Sequence, residues 1–159
     1  RSFKRYLGDE ITNNNASALP NFQLLYKEGN TVVSRTPMAI DGNSIVLAAP
    51  IKNNQRFRFG FSNATSVISG SNKISDEIST KPAEAIYIYS CIARKTLLGK
   101  VLENEFRSFE DIASTSGFFT YGEFYSADTN NTVLNCTTTI LVLSESQKVK
   151  HTSCKHSKT

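Results

Sequence analysis

The chain has 159 residues, 39% of them hydrophobic and 20% charged, which suits one ordinary globular domain. No apolar run approaches the roughly 20 residues of a membrane-spanning helix, and no secretory leader opens the chain, so no membrane contact is expected. The formal net charge of +4 is local: Lys148, Lys150, Lys155 and Lys158 lie in the last twelve residues, and residues 1–147 hold 14 basic and 14 acidic side chains. The body is neutral, so nucleic acid is not an expected partner.

The chain opens on Arg1 rather than Met, which reads as a piece of a longer polypeptide. Its cysteines, Cys91, Cys136 and Cys154, are odd in number and sparse. That is no disulfide framework and points to reduced thiols in the cytoplasm. Asn-x-Ser/Thr matches at Asn15, Asn63, Asn130 and Asn135 carry no weight in a chain so rich in these residues.

Residues 2–11 read as a short helix with Phe3, Tyr6, Leu7 and Ile11 on one side, followed by an Asn-rich loop. Strand patterns follow at 22–27, at 31–40 with a break at Pro37, at 44–50 and at 56–62. Asp41-Gly42-Asn43 is a hairpin turn signal. Ala64, Val67, Ile68, Ile74 and Ile78 suggest an imperfect helix, weakened by SGSN at 69–72. AIYIYSC, 85–91, reads as a central strand, and residues 95–113 as the clearest helix. GFFTYGEFY, 117–125, reads as one strand, 128–131 as a turn, and 132–144 as the last strand. The order predicts an α+β fold: a mixed, largely antiparallel sheet with two or three helices packed on it. The folded body runs over residues 1–144, and 145–159 form a basic flexible tail or linker.

Chemistry concentrates in three places. Cys91 ends a strand just before the best helix, and Arg94 falls in that helix's first turn, where the dipole disfavours a cation. Either Arg94 awaits a carboxylate or phosphate, or it is an exposed surface residue. Glu105 comes eleven residues later, on the same face of a straight helix. That spacing puts it roughly 16 Å from Arg94, too far to pair. Glu123 sits inside an aromatic strand, where burial without a partner costs several kcal/mol. Alternation places Tyr121, Glu123 and Tyr125 on one face unless Gly122 forms a bulge. The carboxylate is then solvated, paired with a cation, or kept for a ligand. A cysteine nucleophile would want a histidine base, but His151 and His156 both lie in the tail. The set His151, Cys154 and His156 does not have zinc-site spacing. No catalytic residue, metal or cofactor is expected, and no enzyme.

Ser90-Cys91 with Arg94, Leu98-Gly99, Glu105, Gly117-Phe118 and Thr120-Tyr121-Gly122-Glu123 resembles the C-terminal half of the FIST sensory domain. Tyr6-Leu7-Gly8, Leu19-Pro20, Arg35 and Asp41-Gly42 extend the resemblance over about residues 3–144. Two departures stand out. Leu134-Asn135-Cys136-Thr137-Thr138 replaces a strand that in the family reads more like Leu-His-Asn-Gln-Thr, and Asn53-Asn54 replaces a glycine. The resemblance implies a small-ligand-binding input domain of a bacterial signal-transduction protein. It also implies an N-terminal FIST half and a signalling output domain as partners. The implied ligand is small and polar, an amino acid being one candidate. Cys91, Arg94, Glu105, Tyr121, Gly122 and Glu123 would line its site. The alternatives are a protein-interaction platform of a larger signalling or F-box-type protein, and a cysteine-dependent enzyme.

Overall fold

The computed structural model describes residues 5–8, 16–127 and 130–145. Of the expected first helix, residues 5–8 are helical; the remainder of 2–11 lies outside the described residues. So do residues 13–15 of the Asn-rich loop, whose remaining residues 16–20 form 3-10 helix, positions 128–129 of the expected turn, and the tail from residue 146, with His151, Cys154 and His156.

A 3-10 turn, Ala16–Asn21, leads into β1 (Phe22–Glu28), which reverses at Gly29-Asn30 into β2 (Thr31–Arg35). Pro37 separates β2 from β3 (Pro37–Asp41), as its missing N–H requires, and β3 turns at Gly42 into β4 (Ser44–Leu47). Gly42 has φ +53°, a conformation that costs glycine little. β5 (Arg58–Phe61) returns to the far side of β1, giving the antiparallel order β2-β1-β5. Leu19 and Leu24 form a core beside this sheet, with Leu7, Phe22, Ile40, Ile45, Leu47 and Ile51 packed around them.

Helix α1 (Ala64–Ser79) runs unbroken through SGSN. Its start is fixed by a reciprocal cap: the Asn63 side chain accepts from the Ser66 N–H, and the Ser66 hydroxyl accepts from the Asn63 N–H. β6 (Ala85–Cys91) is the middle strand of a second sheet, β10-β6-β7. Its neighbours are β7 (Ser114–Thr120), parallel, and β10 (Thr138–Leu143), antiparallel. Ile86, Ile88 and Phe109 make the core beneath one face, joined by Ile78, Phe106, Ile112 and Ile140. The architecture is α+β, with strands that pair antiparallel apart from β6 and β7.

Three expected continuous elements are broken. The helix expected over 95–113 is α2 (Ile92–Leu98), a 3-10 turn Gly99–Val101, and α3 (Glu103–Glu110). Gly99 has φ +50°, which ends α2 and redirects the chain. The strand expected over 117–125 is β7, a turn at Tyr121-Gly122, and β8 (Glu123–Ala127). The strand expected over 132–144 is β9 (Asn130–Leu134) and β10, separated at residues 135–137, where Cys136 has φ +57°. β8 and β9 pair with each other antiparallel, Glu123 opposite Leu134.

Candidate functional site

Arg94 and Glu105 meet. The expectation that they stand too far apart assumed a straight helix; the turn at Gly99 folds α3 back, so the two side chains join. Arg94 donates from Nε to Glu105 Oε1 at 2.8 Å and from Nη2 to the same oxygen, and Nη2 also reaches Ser71 Oγ at 3.1 Å. Ser71 of α1 and Thr138 of β10 donate to Oε1 at 3.3 and 3.2 Å. Glu105 is 0% exposed, so its charge has no water to lean on and depends on this ring of donors. Its Oε2 is buried and has no partner among the described residues. The bonds of Arg94 run from Nε and Nη2 and leave Nη1 out.

Glu123 is held separately. It is 1% exposed, and it gets there because the turn at Tyr121-Gly122 cancels simple alternation. Tyr121, expected on the same face, is 84% exposed and stands apart from the buried groups. Thr120 Oγ1 donates to Glu123 Oε1 at 2.6 Å. Thr137 donates to Oε2 twice, from its hydroxyl at 2.8 Å and its backbone N–H at 3.3 Å. Four lone-pair directions thus receive three donors, and the charge is settled without a cation. Gly122 lies against β9: a Cβ there would sit 3.0 Å from Val133 Cγ1.

Cys91 is buried beside this second cluster, its N–H bonded to the Thr137 carbonyl at 3.0 Å. Burial pushes its thiol above the ordinary range; the backbone N–H groups of Ala93 and Cys136 act the other way, and Glu123 raises it further. Cys136 is pushed up to about 12, again chiefly by burial, with Cys91, Glu123 and Glu105 adding to the rise and Arg94 opposing it. A nucleophilic thiol needs the opposite shift.

A cavity of about 370 Å³ opens between the two sheets and α1. Gln23 and Leu25 of β1, Ser34 of β2 and Gly60-Phe61 of β5 form one side. Ser66, Val67, Gly70, Ser71 and Ile74 of α1 form another, and Arg94, Cys136, Thr138 and Ile140 close the third. Of the residues expected at a site, Arg94 lines this cavity, and Glu105 supports it from behind. Cys91, Tyr121, Gly122 and Glu123 are not on its wall. Sequence reasoning missed Ser71, Cys136 and Thr138 as wall residues. The departure from the family pattern at 134–138 was the available signal for the last two.

A family model described as the FIST C domain matches residues 1–126. No curated protein and no solved structure matches the chain.

Proposed function

The chain belongs to the FIST C domain family, a sensory-type domain of signal-transduction proteins, and on that footing we propose that it binds a small polar ligand in the cavity beside Arg94. The observation that carries this reading is the placement of one guanidinium on the wall of a cavity that spans both sheets. The volume falls within the usual range for small-molecule sites. Arg94 touches the ligand; Glu105 holds Arg94 in position; Glu123, with Cys91 and Gly122 beside it, fixes the chain break that carries Cys136 into the wall. Occupancy would alter contacts shared by β1, α1 and β10, which is what an input domain needs in order to report.

The further details are proposals of the same kind. The family resemblance suggests an amino acid as one candidate; the group Arg94 would hold is its carboxylate, so carboxylates with and without an ammonium group make the first panel. The domain extends to residue 144, with 145–159 as a basic linker toward an output domain. An N-terminal FIST half is the expected neighbour. The sparse thiols support a cytoplasmic setting, and the family resemblance suggests a bacterial cell. No helix among the described residues is long and apolar enough to cross a membrane. The test is a thermal-shift screen of small metabolites, followed by isothermal titration. A ligand that stabilises the chain and is lost when the cavity mouth is filled at Gly70 supports the reading. A full panel with no stabilising compound overturns it.

A second reading has its own observation. The face of the β10-β6-β7 sheet away from the helices leaves Tyr87, Phe118, Leu141 and Leu143 exposed, with Tyr89 and Phe118 ring to ring at 5.2 Å. An uncovered apolar face of this kind suits protein contact. Charge substitutions at Leu141 and Phe118 that abolish partner capture while ligand binding persists would support it.

A further inference from the structure

We infer that the cavity is built for a carboxylate with an apolar body and no ammonium group. This deepens the ligand-site reading above and rests on it. Among the described residues, Arg94 is the one lining side chain that carries a charge. None of the described carboxylates lines the cavity: Glu105 lies behind Arg94, and Glu123 is occupied by Thr120 and Thr137 away from the wall. An ammonium entering here would meet a like charge and no anion. It would lose its hydration without a charged partner, which is costly.

The distribution of donors points the same way. Of the five hydroxyls on the wall, those of Ser34, Ser66, Ser71 and Thr138 already donate inside the protein, to Gln23 Oε1, the Asn63 carbonyl and Glu105 Oε1; the fifth, Ser62, follows Phe61 at the mouth. Arg94 Nη1 takes no part in the bonds that fix the guanidinium. It is therefore a pre-positioned donor, held by a rigid fork, for an acceptor arriving through the cavity. The pairing with Glu105 lowers the net attraction but fixes the direction in which the remaining N–H bonds point. Leu25, Phe61, Val67, Ile74 and Ile140 supply the apolar walls. Phe61, Gly70 and Ile74 are exposed and mark the mouth, while Ser71 is buried at the Arg94 end. At roughly 30 Å³ per water, the cavity's 370 Å³ holds about a dozen non-hydrogen atoms. A short arylalkyl or alkyl carboxylic acid, head toward Arg94 and tail toward Phe61, meets each of these conditions.

The test uses three compounds with one body and different heads: 3-phenylpropionate, L-phenylalanine and 2-phenylethylamine. Each is titrated calorimetrically into the purified full chain at neutral pH. The acid is expected to bind about tenfold or more tightly than the amino acid, and the amine not to bind. Arg94→Lys keeps a cation for Glu105 but loses the fork, and is expected to weaken the acid about tenfold. Gly70→Leu is the second variant. A Cβ at Gly70 meets no atom within 4 Å, so the larger side chain has room to cross the mouth without disturbing the ion pair. It is expected to abolish binding while the circular dichroism spectrum is kept. Phenylalanine binding as tightly as the acid, with Gly70→Leu abolishing both, overturns the head-group inference and leaves the ligand site standing. Acid binding unchanged in both variants overturns the cavity as its site. Binding by none of the three, nor by the wider metabolite panel, overturns inference and site together.

Discussion

Replacing Arg94 by Met removes the cation from a fully buried carboxylate and leaves a side chain of similar reach. Glu105 Oε1 would then keep Ser71 and Thr138 as donors, at 3.3 and 3.2 Å, both at the long end of the range. Oε2 has no partner among the described residues to begin with. Stripping one member from a buried ion pair costs about 3–5 kcal/mol, and the longer hydroxyl bonds offset little of it. Against a total stability of about 5–15 kcal/mol, that loss is large. The double variant Arg94→Met/Glu105→Leu deletes both charges. It is expected to recover most of the loss, because the charge and its desolvation disappear together. Equilibrium urea unfolding measures all four corners of this cycle, with the slope checked for constancy. A single variant within about 1 kcal/mol of wild type, or a double variant no better than the single, would show that Arg94 does not neutralise Glu105, and the account of the site would fall with it.

Gly117→Ala should abolish folding, since a Cβ there would lie 2.0 Å from the Ile88 carbonyl oxygen in the central β6–β7 pair; soluble, cooperatively unfolding protein would refute this. Thr137→Val removes one of the three donors to Glu123 and is expected to cost about 1–3 kcal/mol in the same urea assay, whereas an exposed threonine loses almost nothing. The Cys136 thiol is raised in the folded chain from 9.0 to about 12. Its contribution is therefore fully present below the unfolded value and lost as pH rises: above about pH 9 the unfolded chain ionises first and stability falls. Cys136→Ala should flatten that fall by up to about 1.4 kcal/mol per pH unit. Alkylation at pH 7.5 should leave Cys91 and Cys136 unmodified under native conditions and label both in urea; rapid native labelling of Cys91 would revive the cysteine-enzyme alternative.

The regular parts of the fold were legible because they follow period. Alternation marked β5, a strand-like run marked β1, β-branched and aromatic content marked β6, and apolar spacing marked α1. The family motif singled out Arg94, Glu105 and Glu123, and all three are at least mostly buried. What failed was the continuity of elements, and with it the partners. Gly99 carried a readable stop, a glycine after Leu97-Leu98, but the apolar spacing continued past it and outweighed that signal. Gly122 was flagged as a possible bulge and turned out to be a full turn, which sent Tyr121 outward and Glu123 inward. The backbone conformation of Cys136 was beyond sequence reasoning. A left-handed backbone at a non-glycine residue is set by tertiary demands, since local preference runs against it.

These breaks share a physical origin. A buried carboxylate needs several donors converging from different directions, and one regular strand or helix presents side chains in fixed directions only. Interrupting the helix at Gly99 brings Glu105 back to Arg94. The turn at Gly122 swings Glu123 under Thr120. The break between β9 and β10 turns Thr137 toward Glu123, while its neighbour Thr138 bonds to Glu105. Two adjacent residues thus tie the two carboxylates to one another through a single peptide unit. A change at Arg94 that shifted Glu105 would reach Thr138, then Thr137 and Glu123. The short stretch from Cys136 to Thr138, between the cavity wall and both buried acids, is where the proposed ligand would have the most leverage on the fold.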